Sequence, residues 1–119
     1  MILVDTSVWV KHLRRGDPRL VEFLDSGEVL CHPFIVGELA CGHLRPRVAI
    51  LDLLLALPSV GEVGHDEVLH FIEQHRLQGK GLGLIDMHLL AASAMEKRRL
   101  WTLDLRLERA ASQIGVRGP

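Results

Sequence analysis

The chain begins with an uninterrupted apolar run, Met1 to Val4, closed at once by Asp5. A run without polar alternation belongs to a strand covered on both faces, the situation of parallel sheets sandwiched by helices. The same signature returns near the other end, where Arg99 to Leu103 runs into Asp104. Parallel neighbours need a crossover of a dozen or more residues, usually helical. In open parallel sheets ligands bind beyond the carboxyl ends of the strands, where both acids stand.

The intervening sequence supplies the crossovers. From Ser7, the spacing of Val8, Trp9, His12 and Leu13 predicts a short helix. After Gly16-Asp17-Pro18 a second helix carries Leu20, Val21, Phe23 and Leu24 towards Ser26-Gly27. Glu28 to His32 reads as a strand, and Pro33 opens a helix whose apolar face is Ile35, Val36, Leu39 and Ala40, with Glu38 on the same helix. Arg47 to Leu57 is helical up to Pro58, Ser59 to Val63 is a short strand, and Asp66 is placed to N-cap a helix over Glu67 to Gln78. The loop Gly79-Lys80-Gly81-Leu82-Gly83 leads into a buried helix, Leu84 to Lys97, with Asp86 in its first turn. A last helix over Leu105 to Ser112 precedes Gly115 and an edge strand at Val116. This alternation without repeats or linkers predicts an α/β fold with a central parallel sheet of four to five strands. With 48% hydrophobic residues in 119, the chain can bury a core, and residues 1–119 are expected to form a single domain.

Charge excludes some functions. Fourteen basic against fifteen acidic residues give a formal net charge of −1, so no global field steers the chain to nucleic acid. Contact with RNA would have to be local, through Lys11, Arg14 and Arg15 along the first helix and Lys80 in the glycine loop, with Arg45, Arg47 and Arg106 as further phosphate contacts. Cys31 and Cys41 form no C-x-x-C pair, which points to reduced thiols and a cytoplasmic setting. The N-terminus has no basic stretch before its apolar run, and charges from Lys11 onward interrupt any long apolar segment, so neither secretion nor membrane insertion is expected. His65, His70 and His75 recur every five residues, so they share no helix face, and no H-E-x-x-H zinc motif occurs.

The chemistry rests on carboxylates. Asp5 and Asp104 at strand ends, Asp86 at a helix start and Glu38 on a helix flanking the sheet can reach one crevice. Such acids repel one another and raise each other's pKa, whereas Mg²⁺ or Mn²⁺ turns them into hard oxygen ligands with water positions left open. A cation so held suits phosphodiester hydrolysis.

Val4-Asp5-Thr6-Ser7-Val8, Glu38-Leu39, Ile85-Asp86-x-x-Leu89-x-Ala91 and Thr102-x-Asp104 together resemble, in order and spacing over nearly the whole chain, the four motifs of PIN domains of the VapC toxin type. The resemblance implies a three-layer α/β/α sandwich, a homodimer, Mg²⁺- or Mn²⁺-dependent RNA cleavage, and a VapB-type antitoxin that docks near the groove. It implies that Asp5, Glu38, Asp86 and Asp104 are the metal-binding catalytic acids, with Thr6, Ser7 and Thr102 as supporting hydroxyls. The sequence departs from the commonest pattern at His88 and at Leu105-Arg106. Two other functions compete: a non-catalytic PIN-like binding module, against which all four acids speak, and a Mg²⁺-dependent phosphotransfer domain, against which the lack of a second acid beside Asp5 speaks. Trp9 suits either the core or a surface that anchors a partner.

Overall fold

In the computed structural model, which describes residues 1–119, the two apolar runs that end in acids lie side by side. Strand β1 (Ile2–Val4) is central, with β2 (Val29–Leu30) on one side and β3 (Arg99–Trp101) on the other, all parallel. Every residue of these strands except Arg99 is buried, as their unbroken apolarity requires. The register sets Val4 opposite Trp101, so Asp5 and Thr102 leave the sheet together at its carboxyl end.

The sheet is smaller than the four to five strands expected. Both missing strands are reduced to single parallel bridges, Ser59 to Cys31 outside β2 and Arg117 to Leu100 outside β3. Pro58 and Gly61 limit the first, since proline has no amide for a ladder and glycine weakens an extended segment. The second is held by Leu100 N–H donating to the Val116 carbonyl at 2.7 Å and Gly118 N–H donating to the Leu100 carbonyl at 2.8 Å, before the chain reaches Pro119.

Seven helices enclose the sheet: α1 (Thr6–Arg15), α2 (Pro18–Asp25), α3 (Pro33–Ala40), α4 (Arg47–Ala56), α5 (His65–His75), α6 (Leu84–Glu96) and α7 (Leu105–Gln113). Helix α6 is the most deeply set, with Met87 through Ser93 all buried, and its small residues Ala91, Ala92 and Ser93 allow close approach to its neighbours. Trp9 and Trp101 lie within one core of 28 buried residues. At 1% exposure Trp9 has no surface to offer a partner, so its core role prevails.

Local chemistry fixes the helix starts. Asp17 caps α2 by accepting from the amides of Arg19 and Leu20, and its other oxygen takes Lys11 Nζ at 3.2 Å. Burial by itself would raise the pKa of Asp17, but the Leu20 amide and the Lys11 ammonium outweigh it and hold the carboxyl below its ordinary range. Asp66 does not cap α5 as expected. Gly64 occupies that position, the helix starts at His65, and Asp66 and Glu67 fall in the first turn, where negative charge complements the helix dipole. No helix is long and apolar enough to cross a membrane, and Cys31 and Cys41 are both free thiols.

Candidate active site

Asp5 is the first residue beyond β1 and precedes α1, yet its side chain does not cap that helix. Its Oδ2 instead accepts from Ser7 Oγ at 2.7 Å and from Thr102 Oγ1 at 2.8 Å. Ser7 Oγ in turn accepts the Leu103 amide at 3.0 Å, and Thr102 Oγ1 accepts the Asp104 amide at 3.1 Å. A carboxylate only 7% exposed is thereby locked between the ends of β1 and β3 by hydroxyls that are themselves held by backbone. Ser7 and Thr102, two of the hydroxyls expected beside the acids, both donate to Asp5.

Asp104 caps α7, its Oδ1 accepting from the amides of Arg106 at 2.9 Å and Leu107 at 3.4 Å. Asp86 sits in the first turn of α6, where its Oδ2 accepts the Gly83 amide at 3.0 Å. Its pKa is raised, first by burial and then by the charges of Asp5 and Asp104, with the Gly83 amide and Arg106 pulling the other way. Asp86 therefore lies near enough to Asp5 and to Asp104 to feel the charge of each. Glu38 stands further out: it is exposed on α3, and its Oε1 accepts from Thr6 Oγ1 at 2.8 Å, which ties it to the residue after Asp5.

All four acids share one arrangement. In each, one oxygen is held by the protein, and the second takes no protein hydrogen bond. No three His, Cys, Asp or Glu side chains are drawn together into a ready-made metal cage. An all-oxygen set with one spare oxygen per carboxylate nevertheless fits a hard divalent cation such as Mg²⁺, which keeps several waters and binds proteins through one or two carboxylates.

Cations surround the acids unevenly. Arg106 Nε lies 3.9 Å from Asp104 Oδ1. Arg14 lines a groove of about 300 Å³ with Thr6 and Glu38, and Arg15 is exposed beside it. Lys80 is exposed and donates to Gln113 Oε1 at 2.6 Å. Lys11 is engaged by Asp17, and Arg47 donates to the carbonyls of Ala40 and Gly42 at the end of α3, so both hold structure together.

The departure at His88 belongs to a packed aromatic cluster. His88 is 7% exposed and meets Phe34 edge-on at 4.8 Å, and Phe34 lies 5.0 Å from His32. His32 Nδ1 accepts the Phe34 amide at 3.0 Å and so caps α3. Burial lowers the pKa of both histidines, so they pack as neutral rings between the helices that carry Glu38 and Asp86. Sequence reasoning missed the His32 cap because histidine is not a customary cap. The one local signal was Pro33, which suits the first position of a helix.

Residues 2–113 match the PIN domain family. The chain is 50% identical over 117 residues to Ribonuclease VapC32 of Mycobacterium tuberculosis, covering 98% of this chain and 94% of the relative, in both strain CDC 1551 / Oshkosh and strain H37Rv.

Proposed function

This chain belongs to the PIN-domain family, of the VapC type, and on that premise we propose that residues 1–119 work as a single domain that cleaves RNA internally at the four carboxylates. It is an endoribonuclease, the toxin of a toxin–antitoxin pair. The observation that carries the reading is the half-used state of Asp5, Glu38, Asp86 and Asp104, each anchored through one oxygen with the other left over.

A divalent ion, Mg²⁺ or Mn²⁺, held by Asp5, Glu38, Asp86 and Asp104 would polarise a phosphodiester and lower the pKa of a bound water. The protein's part is preorganisation. Ser7 and Thr102 hold Asp5 in one rotamer, the Gly83 amide holds Asp86, and the first turn of α7 holds Asp104. The charges of Asp5 and Asp104 acting on Asp86 favour a positive charge beside it. Glu38, on its exposed helix, completes the acidic rim through Thr6.

A VapB-type antitoxin and a homodimer belong to the same reading. Beside Glu38, Val10, Leu13, Leu39, Leu44 and Ile50 line a groove that also carries Arg14, His43 and Arg45, a mixed apolar and basic surface suited to a partner's side chains. A segment seated there would cover the approach to the acids.

Total cellular RNA incubated with the purified chain, free of any co-purified partner, tests the reading. Cleavage is expected with Mg²⁺ or Mn²⁺, absent in EDTA and absent in Asp5→Asn. Intact RNA with metal present and inhibitor absent would overturn it, as would full cleavage by Asp5→Asn.

A further inference from the structure

We propose that Lys80, Arg106 and Arg109 form a phosphate-gripping shelf along α7 that guides the RNA strand into the acidic site. The proposal rests on the endoribonuclease reading and adds to it the path of the substrate backbone.

Arg106, Arg109 and Gln113 follow one another at helical spacing on a single face of α7, and with Lys80 and Ala110 they line one surface depression of about 250 Å³. No acid lines it. Glu108, the acid within α7, is paired with Arg117 at 3.3 Å. Arg106 is loosely paired with Asp104 at 3.9 Å, whereas Lys80 and Arg109 have no acidic partner; cations that share a concavity repel one another, and a polyanion turns that cost into binding.

Two of the three cations have a protein neighbour. Lys80 Nζ donates to Gln113 Oε1. Arg106, although its side chain is 64% exposed, lies against the backbone of Gly81. A Cβ at Gly81 would stand 2.8 Å from Arg106 Nη1 and 3.0 Å from its Cδ, and the φ of +76° there already disfavours any other residue. Side chains that already rest on a neighbour lose less entropy on meeting a ligand than free ones do. A planar guanidinium suits phosphate oxygens in particular.

The shelf also leads to the chemistry. Arg106 lines the depression, and its Nε is 3.9 Å from Asp104, while its charge acts on Asp86. A strand whose phosphates rest on Lys80 and Arg109 thus reaches the carboxylates across Arg106. The sequence departure at Arg106 acquires a role as a substrate-positioning residue.

The test is fluorescence anisotropy with a labelled, random-sequence RNA dodecamer in EDTA, which prevents cleavage, over a series of KCl concentrations. Lys80→Gln, Arg106→Gln and Arg109→Gln are each expected to weaken binding about threefold to tenfold and to reduce the slope of log K against log salt by about 0.7, the value for one phosphate contact on a single strand. Arg99→Gln, an exposed cation at the amino end of β3 on the far side of the sheet, is expected to change neither. If the shelf variants match Arg99→Gln while the wild type still cleaves total RNA with metal, the shelf is overturned and the nuclease reading stands. If they match it in RNA binding but lose affinity for an acidic protein partner, the shelf is a protein seat and the proposal is again overturned. A wild type that cleaves no RNA with metal removes the nuclease reading itself.

Discussion

The two sides of the acidic site are built differently. On the β1–β3 side, Asp5 is 7% exposed and takes two hydroxyl donors that are themselves held by the amides of Leu103 and Asp104. On the α3 side, Glu38 is exposed and takes one hydroxyl donor from Thr6. The first side is a fixed scaffold, because low dielectric strengthens each bond and leaves no water to replace a lost one. The second is weakly tied, because water competes at each atom. Charge is anchored where the sheet ends and remains adjustable where the helix faces solvent.

The largest test of this contrast is loss of the central charge. Asp5→Asn and Asp86→Asn are expected to lower RNA cleavage at least about a hundredfold, since losing even an outer-shell partner of a metal ligand costs roughly 10–100-fold. Circular dichroism should show both variants folded. Asp86→Asn is also expected to unfold at higher urea than wild type at neutral pH. The folded-state pKa of Asp86 is raised, so the native state keeps that proton to higher pH than the unfolded chain does. Stability from this group therefore falls as pH rises through the carboxylate range, and the ionised group is a net cost at neutrality. An Asp86→Asn variant less stable than wild type would contradict that account.

Next comes the hydroxyl network. Thr102→Val keeps the shape but removes the donor to Asp5 and the acceptor for the Asp104 amide, a loss of about 2–3 kcal/mol. Thr6→Val removes only the exposed bond to Glu38 and should cost less than about 1 kcal/mol. Urea denaturation of the two variants measures the gap, and equal losses would erase the proposed difference between the two sides.

The smallest effect is pH-dependent. His32 and His88 both have folded-state pKa values below the ordinary 6.5, so the unfolded chain binds more protons as pH falls through that value. Stability should decline on acidification from neutral towards the depressed folded-state values. His32→Asn, whose side-chain oxygen can still cap α3, should flatten that decline in urea titrations at several pH values. An unchanged slope would remove His32 as a source of it.

Much of this was legible beforehand because it is local. The apolar runs before Asp5 and Asp104, the prolines at the starts of α2 and α3 and the apolar, alanine-rich stretch of α6 each fix structure within a few residues. Strand extent was not, because Ser59 to Val63 and Val116 read as strands while the proline and glycine around them allow one bridge apiece, at Ser59 and Arg117. The Asp66 cap failed for a similar reason: a favourable residue type two residues past the cap position is a first-turn charge.

By itself the sequence determined the kinds of element, the order of the acids and the family pattern, because hydrophobic period and motif spacing are properties of neighbours along the chain. Only the tertiary structure decided which oxygen of each acid is free, that Lys11 serves Asp17, that Trp9 is core, and that Gly81 seats Arg106 beside Asp104. Those facts depend on parallel register and helix packing, which bring together residues as distant as Asp5 and Thr102, and no local preference encodes a contact across that separation.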